Sequence, residues 1–175
     1  MLIKIGPSNE PSDVVDLLMA CHDRIRLFVD LARRLADAHD ASADEIRDAA
    51  MRVIRYFSEA SPLHVADEEE SVMPRLAGRE PALDAALQAM HQEHQKHEPQ
   101  LKSLLNTCQT LHASPQRLEE LRETLRATAM ALEQDFIIHL QQEEKVVMPA
   151  IRSLLTSEDR DAMLAELRAR RLMKD

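Results

Sequence analysis

His64-Val65-Ala66-Asp67-Glu68-Glu69, closed by Val72-Met73-Pro74, returns later in the chain as His139-Leu140-Gln141-Gln142-Glu143-Glu144, closed by Val147-Met148-Pro149. In each copy a histidine precedes a glutamate by four residues, and a second glutamate follows at once. Residues four apart on a helix lie one turn apart on one face, so each pair aims an imidazole and a carboxylate at a common point. This is metal-ligand spacing, and it occurs twice.

The surrounding sequence supplies helices to carry these pairs. The 175 residues include only two glycines and four aromatics, Phe28, Tyr56, Phe57 and Phe136. Leu, Ala, Met, Glu, Gln and Arg dominate, a helix-forming composition with little to favour strands. Ser12-Asp13 offer N-cap chemistry for a first helix with the inward stripe Leu18, His22, Ile25, Val29 and Ala32. Beyond a turn at Asp40-Ala41-Ser42, a second stripe runs Ile46, Ala50, Val53, Phe57, His64, Glu68, Val72. Pro62 is expected to kink that helix or restart it. Arg79-Glu80-Pro81 opens a third helix with Leu87, Met90, His94, Leu101, Leu104, Cys108 and Leu111 inward. Ser114-Pro115 opens a fourth, with Leu118, Leu121, Leu125, Leu132, Phe136, His139, Glu143 and Val146.

Short connections between these segments predict an all-α, up-down-up-down antiparallel four-helix bundle over residues 12–155, after an N-terminal tail of residues 1–11. Residues 156–175 are expected to add a short C-terminal helix starting at Ser157-Glu158-Asp159. Its Arg168, Arg170 and Arg171 read as dipole compensation on a solvated face.

A formal net charge of -9 argues against a nucleic-acid partner, which would need clustered Lys and Arg. Cys21 and Cys108 are too few and too far apart for a secreted disulfide framework. No signal-like start and no apolar run of about 20 residues is present, so a cytoplasmic protein without a membrane span is expected.

The polar groups set into the four apolar stripes are the informative ones. Helices one and three contribute His22 and His94; helices two and four contribute the His64/Glu68 and His139/Glu143 pairs. His22 to His64 spans 42 residues and His94 to His139 spans 45, as if two similar hairpins faced one another. Two buried carboxylates and four imidazoles among aliphatic side chains need compensation, and a pair of cations supplies it. The set exceeds one tetrahedral zinc site and lacks the oxygen-rich shell of calcium, so two ions are expected, iron before manganese or zinc. His91, His97 and Glu98 are candidates for a further ligand. Glu69 and Glu144 read as surface charges, with acceptance from ligand imidazoles as the alternative. No catalytic nucleophile is apparent: Cys21 adjoins His22 in sequence, but neighbouring helical residues point about 100° apart.

These residues resemble the hemerythrin-like proteins with the HHE cation-binding domain, over about residues 12 to 155. The likeness is carried by His64/Glu68 and His139/Glu143, each followed by a second Glu and a closing Met-Pro, together with Glu93-His94 and His22. It implies a bundle around an oxo-, hydroxo- or carboxylate-bridged di-iron centre. Relatives bind dioxygen reversibly, sense oxygen or iron, or help repair iron-sulfur centres after nitric oxide or oxidative stress. Oxygen-carrying hemerythrins place two histidines four apart on the third helix, whereas the spacings around His94 here are three. The expected role is therefore binding of a small diatomic ligand or peroxide rather than a defined enzymatic reaction. The alternatives are a di-iron enzyme reducing peroxide or nitric oxide, and an iron donor or repair and docking module for a redox or iron-sulfur protein.

Overall fold

The computed structural model describes residues 11–173; of the predicted tail, all but Pro11 lies outside the described residues. Five helical rods account for nearly all of that span, and no strand occurs among the described residues. They are α1 (Val14–Asp37), α2 (residues 43–76), α3 (Pro81–Ala113), α4 (residues 115–154) and α5 (Ser157–Leu172). The starts follow local chemistry. The Asp13 side chain accepts the Val15 N–H at α1, and Ser42 with Glu45 forms a reciprocal capping box at α2. Thr156 with Asp159 does the same at α5, which starts at Ser157 as read from sequence. Gly78 adopts φ 76° in the α2–α3 turn, a conformation a β-carbon would strain.

Cross-helix contacts set the order of packing. His22 meets Glu144, Arg33 meets Glu133 and Asp37 meets Arg126, so α1 and α4 are antiparallel. Pairing of His22 with Glu68 and stacking of Phe28 on Tyr56 give α1 and α2 the same relation. Glu69 with His91 and Arg47 with His112 place α2 antiparallel to α3, and the pairs Glu93–His139 and His97–Phe136 do so for α3 and α4. The stripes fill two apolar clusters. One contains Ile25, Val29, Phe57, Leu104, Leu132 and Phe136; the other contains Leu18, Val72, Leu87, Met90, Val147 and Met163. On each of α1 to α4 the polar stripe residues fall between the two clusters.

Pro62 neither ends nor restarts α2. Proline has no N–H to donate, and in a regular helix its ring collides with the carbonyl four residues back. Each of Pro62, Pro74 and Pro149 is preceded by a π-helical turn: Tyr56–Ala60, Asp67–Val72 and Glu143–Val147. The residue before each proline bonds one position further back than usual: Ser61 to the Tyr56 carbonyl, Met73 to Glu68, Met148 to Glu143. The extra residue absorbs the misfit and lets the helix continue. It also corrects one expected core position, because the wider turn brings Val147 inward at 2% exposure and leaves Val146 at 38%.

The arginines of α5 correct another expectation. Arg168 is exposed as expected, but Arg170 and Arg171 donate to Asp67, which is 0% exposed, at 2.8 and 2.6 Å. Glu166 of the same helix accepts from Ser71 and Arg75 of α2. Met163, Leu164 and Leu167 are buried beneath this polar seam. Sequence spacing along α5 gave no sign that a buried aspartate on α2 required these cations.

At the other end of the bundle, buried Arg122 of α4 donates to the carbonyls of Ala36 and Ala38, where α1 runs out of intrahelical donors. Arg122→Ala should cost about 1–3 kcal/mol by stranding those acceptors. A lowered urea midpoint with unchanged metal uptake would be the result, since Arg122 lies about five turns before His139 on α4.

Candidate metal centre

The structure brings His22, His64, Glu68, His94, His139 and Glu143 to one level of the core. They form two groups whose ligand atoms lie within 4.8 Å of one another: His22, His64, Glu68, Glu143, and Glu68, His94, His139, Glu143. The two glutamates belong to both groups. Glu68 turns Oε1 toward His64 Nε2 (3.3 Å) and Oε2 toward His94 Nε2 (3.1 Å). Glu143 turns Oε2 toward His22 Nε2 (3.0 Å) and Oε1 toward His139 Nε2 (3.0 Å). Each carboxylate thus offers one oxygen to each group.

Both glutamates are 1% exposed, yet neither makes a directed hydrogen bond through either oxygen, and the Nε2 atoms of His22, His64 and His94 are equally unpartnered. Buried polar atoms left in this way are costly unless something else satisfies them. Ligands about 2.1 Å from a common ion stand about 3–4 Å apart, which is the separation found here. The donor set fits two cations.

The Nδ1 atoms of His22, His94 and His139 are held from outside, whereas His64 Nδ1 is buried without such an acceptor. Glu144 accepts from His22 Nδ1 (3.0 Å) and from Arg26 (2.6 Å). Glu69 accepts from His94 Nδ1 (3.0 Å) and His91 Nδ1 (2.9 Å), and Glu93 accepts from His139 Nδ1 (2.8 Å). A carboxylate can only accept, so each of these Nδ1 atoms carries a hydrogen and Nε2 is the nitrogen left to face an ion once its own proton is displaced. Glu69 and Glu144 are therefore imidazole acceptors, and the surface-charge reading of them fails. Glu93 does the same work and was not picked out for it by sequence; that it supports a ring on the neighbouring helix depends on the axial register of α3 against α4.

His91 faces Glu69 rather than either group, and Glu98 lines a surface groove of about 610 Å³ between α2 and α3. His97 is 3% exposed but outside both groups; its ring lies 4.8 Å from Phe136 and 5.2 Å from His139. Burial, with the neighbouring His139, pushes its pKa down to about 4. A cavity of about 30 Å³ opens beside the centre, walled by His64, His94, His97 and His139 and by apolar Ile25, Leu101 and Phe136. It shares Ser61, Val65, His94 and Leu101 with the α2–α3 groove.

Charge balance without a cation is kept by protons. Burial pushes His22 and His94 down, but Glu143 and Glu68 on the first and Glu68 and Glu69 on the second outweigh it, holding them at about 10 and about 9. His64 and His139 are raised too, and Glu68 is held well below the usual carboxylate range by His64, His22 and His94 against its burial. A histidine whose folded pKa exceeds its unfolded value of 6.5 contributes stability that is full below 6.5 and lost as pH rises through the folded value. Metal-free protein should thus lose melting temperature from about pH 6.5 to about 10. Cations must displace those protons, so the melting-temperature gap between metal-loaded and chelator-treated protein should widen over the same interval. A gap independent of pH would contradict the assignment.

Residues 13–130 match the family model described as the Hemerythrin HHE cation binding domain. That segment contains His22, His64, Glu68 and His94 and stops short of His139 and Glu143. An uncharacterized protein of Haemophilus influenzae is similar at 28% identity over 90 residues, 50% of each chain, so the match spans about half the length of that curated relative. No helix among the described residues is long and apolar enough to cross a membrane.

Proposed function

The chain belongs to the hemerythrin HHE cation-binding domain family, and from that premise we propose that it is a non-haem di-iron protein handling a small diatomic ligand or redox signal. Dioxygen, nitric oxide and peroxide are the ligands this reading admits. The observation that carries it is the double sharing of Glu68 and Glu143, one oxygen to each group of histidines. Iron is preferred to manganese or zinc because mixed imidazole and carboxylate donors suit a borderline ion that can hold more ligands than the four the protein offers it. Two irons, when bound, supply redox chemistry and coordination positions open to a small molecule.

The protein's own residues prepare that chemistry. Glu144, Glu69 and Glu93 fix three imidazoles in orientation, each with a hydrogen on Nδ1, before any ion arrives. The apolar clusters above and below keep bulk water from the carboxylates. The cavity beside His64 and His94, about the volume one water occupies, has room for a two-atom ligand and excludes a large one.

Elemental analysis after anaerobic loading with ferrous iron and dialysis, followed by absorption spectra with azide, nitric oxide and dioxygen, tests the proposal. Two irons per chain and ligand-dependent bands are expected. One tightly held ion, or two that respond to no small ligand, would defeat it. Sustained peroxide or nitric oxide consumption with a reductant would make the same centre enzymatic, and metal transfer to an apo iron-sulfur protein would favour the donor alternative.

A further inference from the structure

Of the polar side chains on the cavity wall that belong to neither ligand group, His97 is the larger, the Ser61 hydroxyl being the other. Its imidazole is buried, touches Phe136 and His139 through ring contacts, and has no side-chain hydrogen bond among the described residues. Serine in a helix can return its hydroxyl to a backbone carbonyl of the preceding turn; a histidine ring in this position cannot. Its ring nitrogens are not among the fully enclosed unpartnered atoms that mark the ligand groups, so they keep contact with open space, and the cavity it lines is where a hydrogen-bond partner would be met.

We propose that His97 positions the small ligand, hydrogen-bonding through a ring nitrogen to the ligand atom that points away from the metals. This rests on the reading that the centre takes a small ligand in this cavity. Apart from the Ser61 hydroxyl, the rest of the non-ligating wall, Ile25, Val65, Leu101 and Phe136, offers only shape. His97 therefore decides which ligands are retained: those with an acceptor atom at the outer end, such as azide or a reduced oxygen species, are held more tightly than those without one. The role also explains why a histidine one turn from His94 stays outside both groups of metal-ligating atoms.

The test uses the full chain loaded anaerobically with ferrous iron, with azide as the probe. His97→Phe should retain the wild-type metal content while azide binds about 3–10-fold more weakly, and the azide stretching frequency should shift. His97→Gln, which keeps a donor, should recover most of the affinity and the frequency. In the metal-free state His97→Phe should melt no lower than wild type, because an unpartnered polar ring has been replaced by an apolar one. Unchanged affinity and frequency in His97→Phe would overturn the assignment, as would a loss of metal, which would make His97 a ligand instead. Failure of the loaded wild-type protein to take up azide would instead remove the functional reading on which the assignment rests.

Discussion

Glu68→Ala and Glu143→Ala are each expected to take the protein from two bound metals to fewer than one per chain. Both carboxylates serve both groups, so either deletion opens both positions. Histidine deletions should behave differently. His22 and His64 belong to one group and His94 and His139 to the other, so losing one histidine should weaken one position and leave the second measurable. The metal-free glutamate variants should lose the stability that Glu68 and Glu143 give by holding protons on His22 and His94, so their melting temperature should vary less between about pH 6.5 and about 10 than that of metal-free wild type. Metal titration by mass spectrometry or elemental analysis, paired with thermal melts in chelator, reads both effects. Retention of two metals in either glutamate variant would rule out the shared-carboxylate arrangement.

The second large effect is expected from residues of α5, outside both ligand groups. Arg170→Ala combined with Arg171→Ala leaves Asp67 buried without a cation, and breaking a buried pair from one side costs about 3–5 kcal/mol. Burial already pushes Asp67 up, with Arg171 and Arg170 opposing it. An acid whose folded pKa is raised loses stability as pH climbs through that value, so the deficit of the double variant should be greatest near neutrality and shrink as pH falls toward the carboxylate range. Adding Asp67→Asn should recover much of the loss, because the stranded charge is gone. Asp67 immediately precedes Glu68 in the same π turn, so metal uptake should weaken along with stability. Denaturant melts at several pH values check the first point; a pH-independent deficit would show that the arginines act through packing alone.

Several features of the bundle were legible from spacing. The stripes of α1 and α2 and most of those of α3 and α4 are buried as read, and the six polar residues set into them meet. The first departure from that reading lies at the prolines. Pro62, Pro74 and Pro149 each stand inside a helical run, and the sequence signal for a break was present. Whether a helix stops, kinks or widens depends on how strongly its two halves are held by neighbours, and here both halves are packed, so π turns form. The shift from Val146 to Val147 follows from the same cause.

Glu69, Glu144 and Glu93 show a different limit. Each follows or precedes a stripe residue by one position, where a helical wheel points it off the inward face. Only the adjacent helix converts that position from solvent into a hydrogen bond with a ring nitrogen. The arginines of α5 are the same case at larger scale: a basic helix end reads as exposed until a buried aspartate is placed beside it.

The sequence by itself determined the helical class, the inward faces and the residues able to act as ligands, because helical periodicity is a local property that every segment carries alone. The tertiary structure alone decided which oxygen of each glutamate serves which histidines, which second carboxylates steady the rings, and what the last helix covers. Those relations depend on which helices are neighbours and on their axial register, and both are set by packing across the whole bundle.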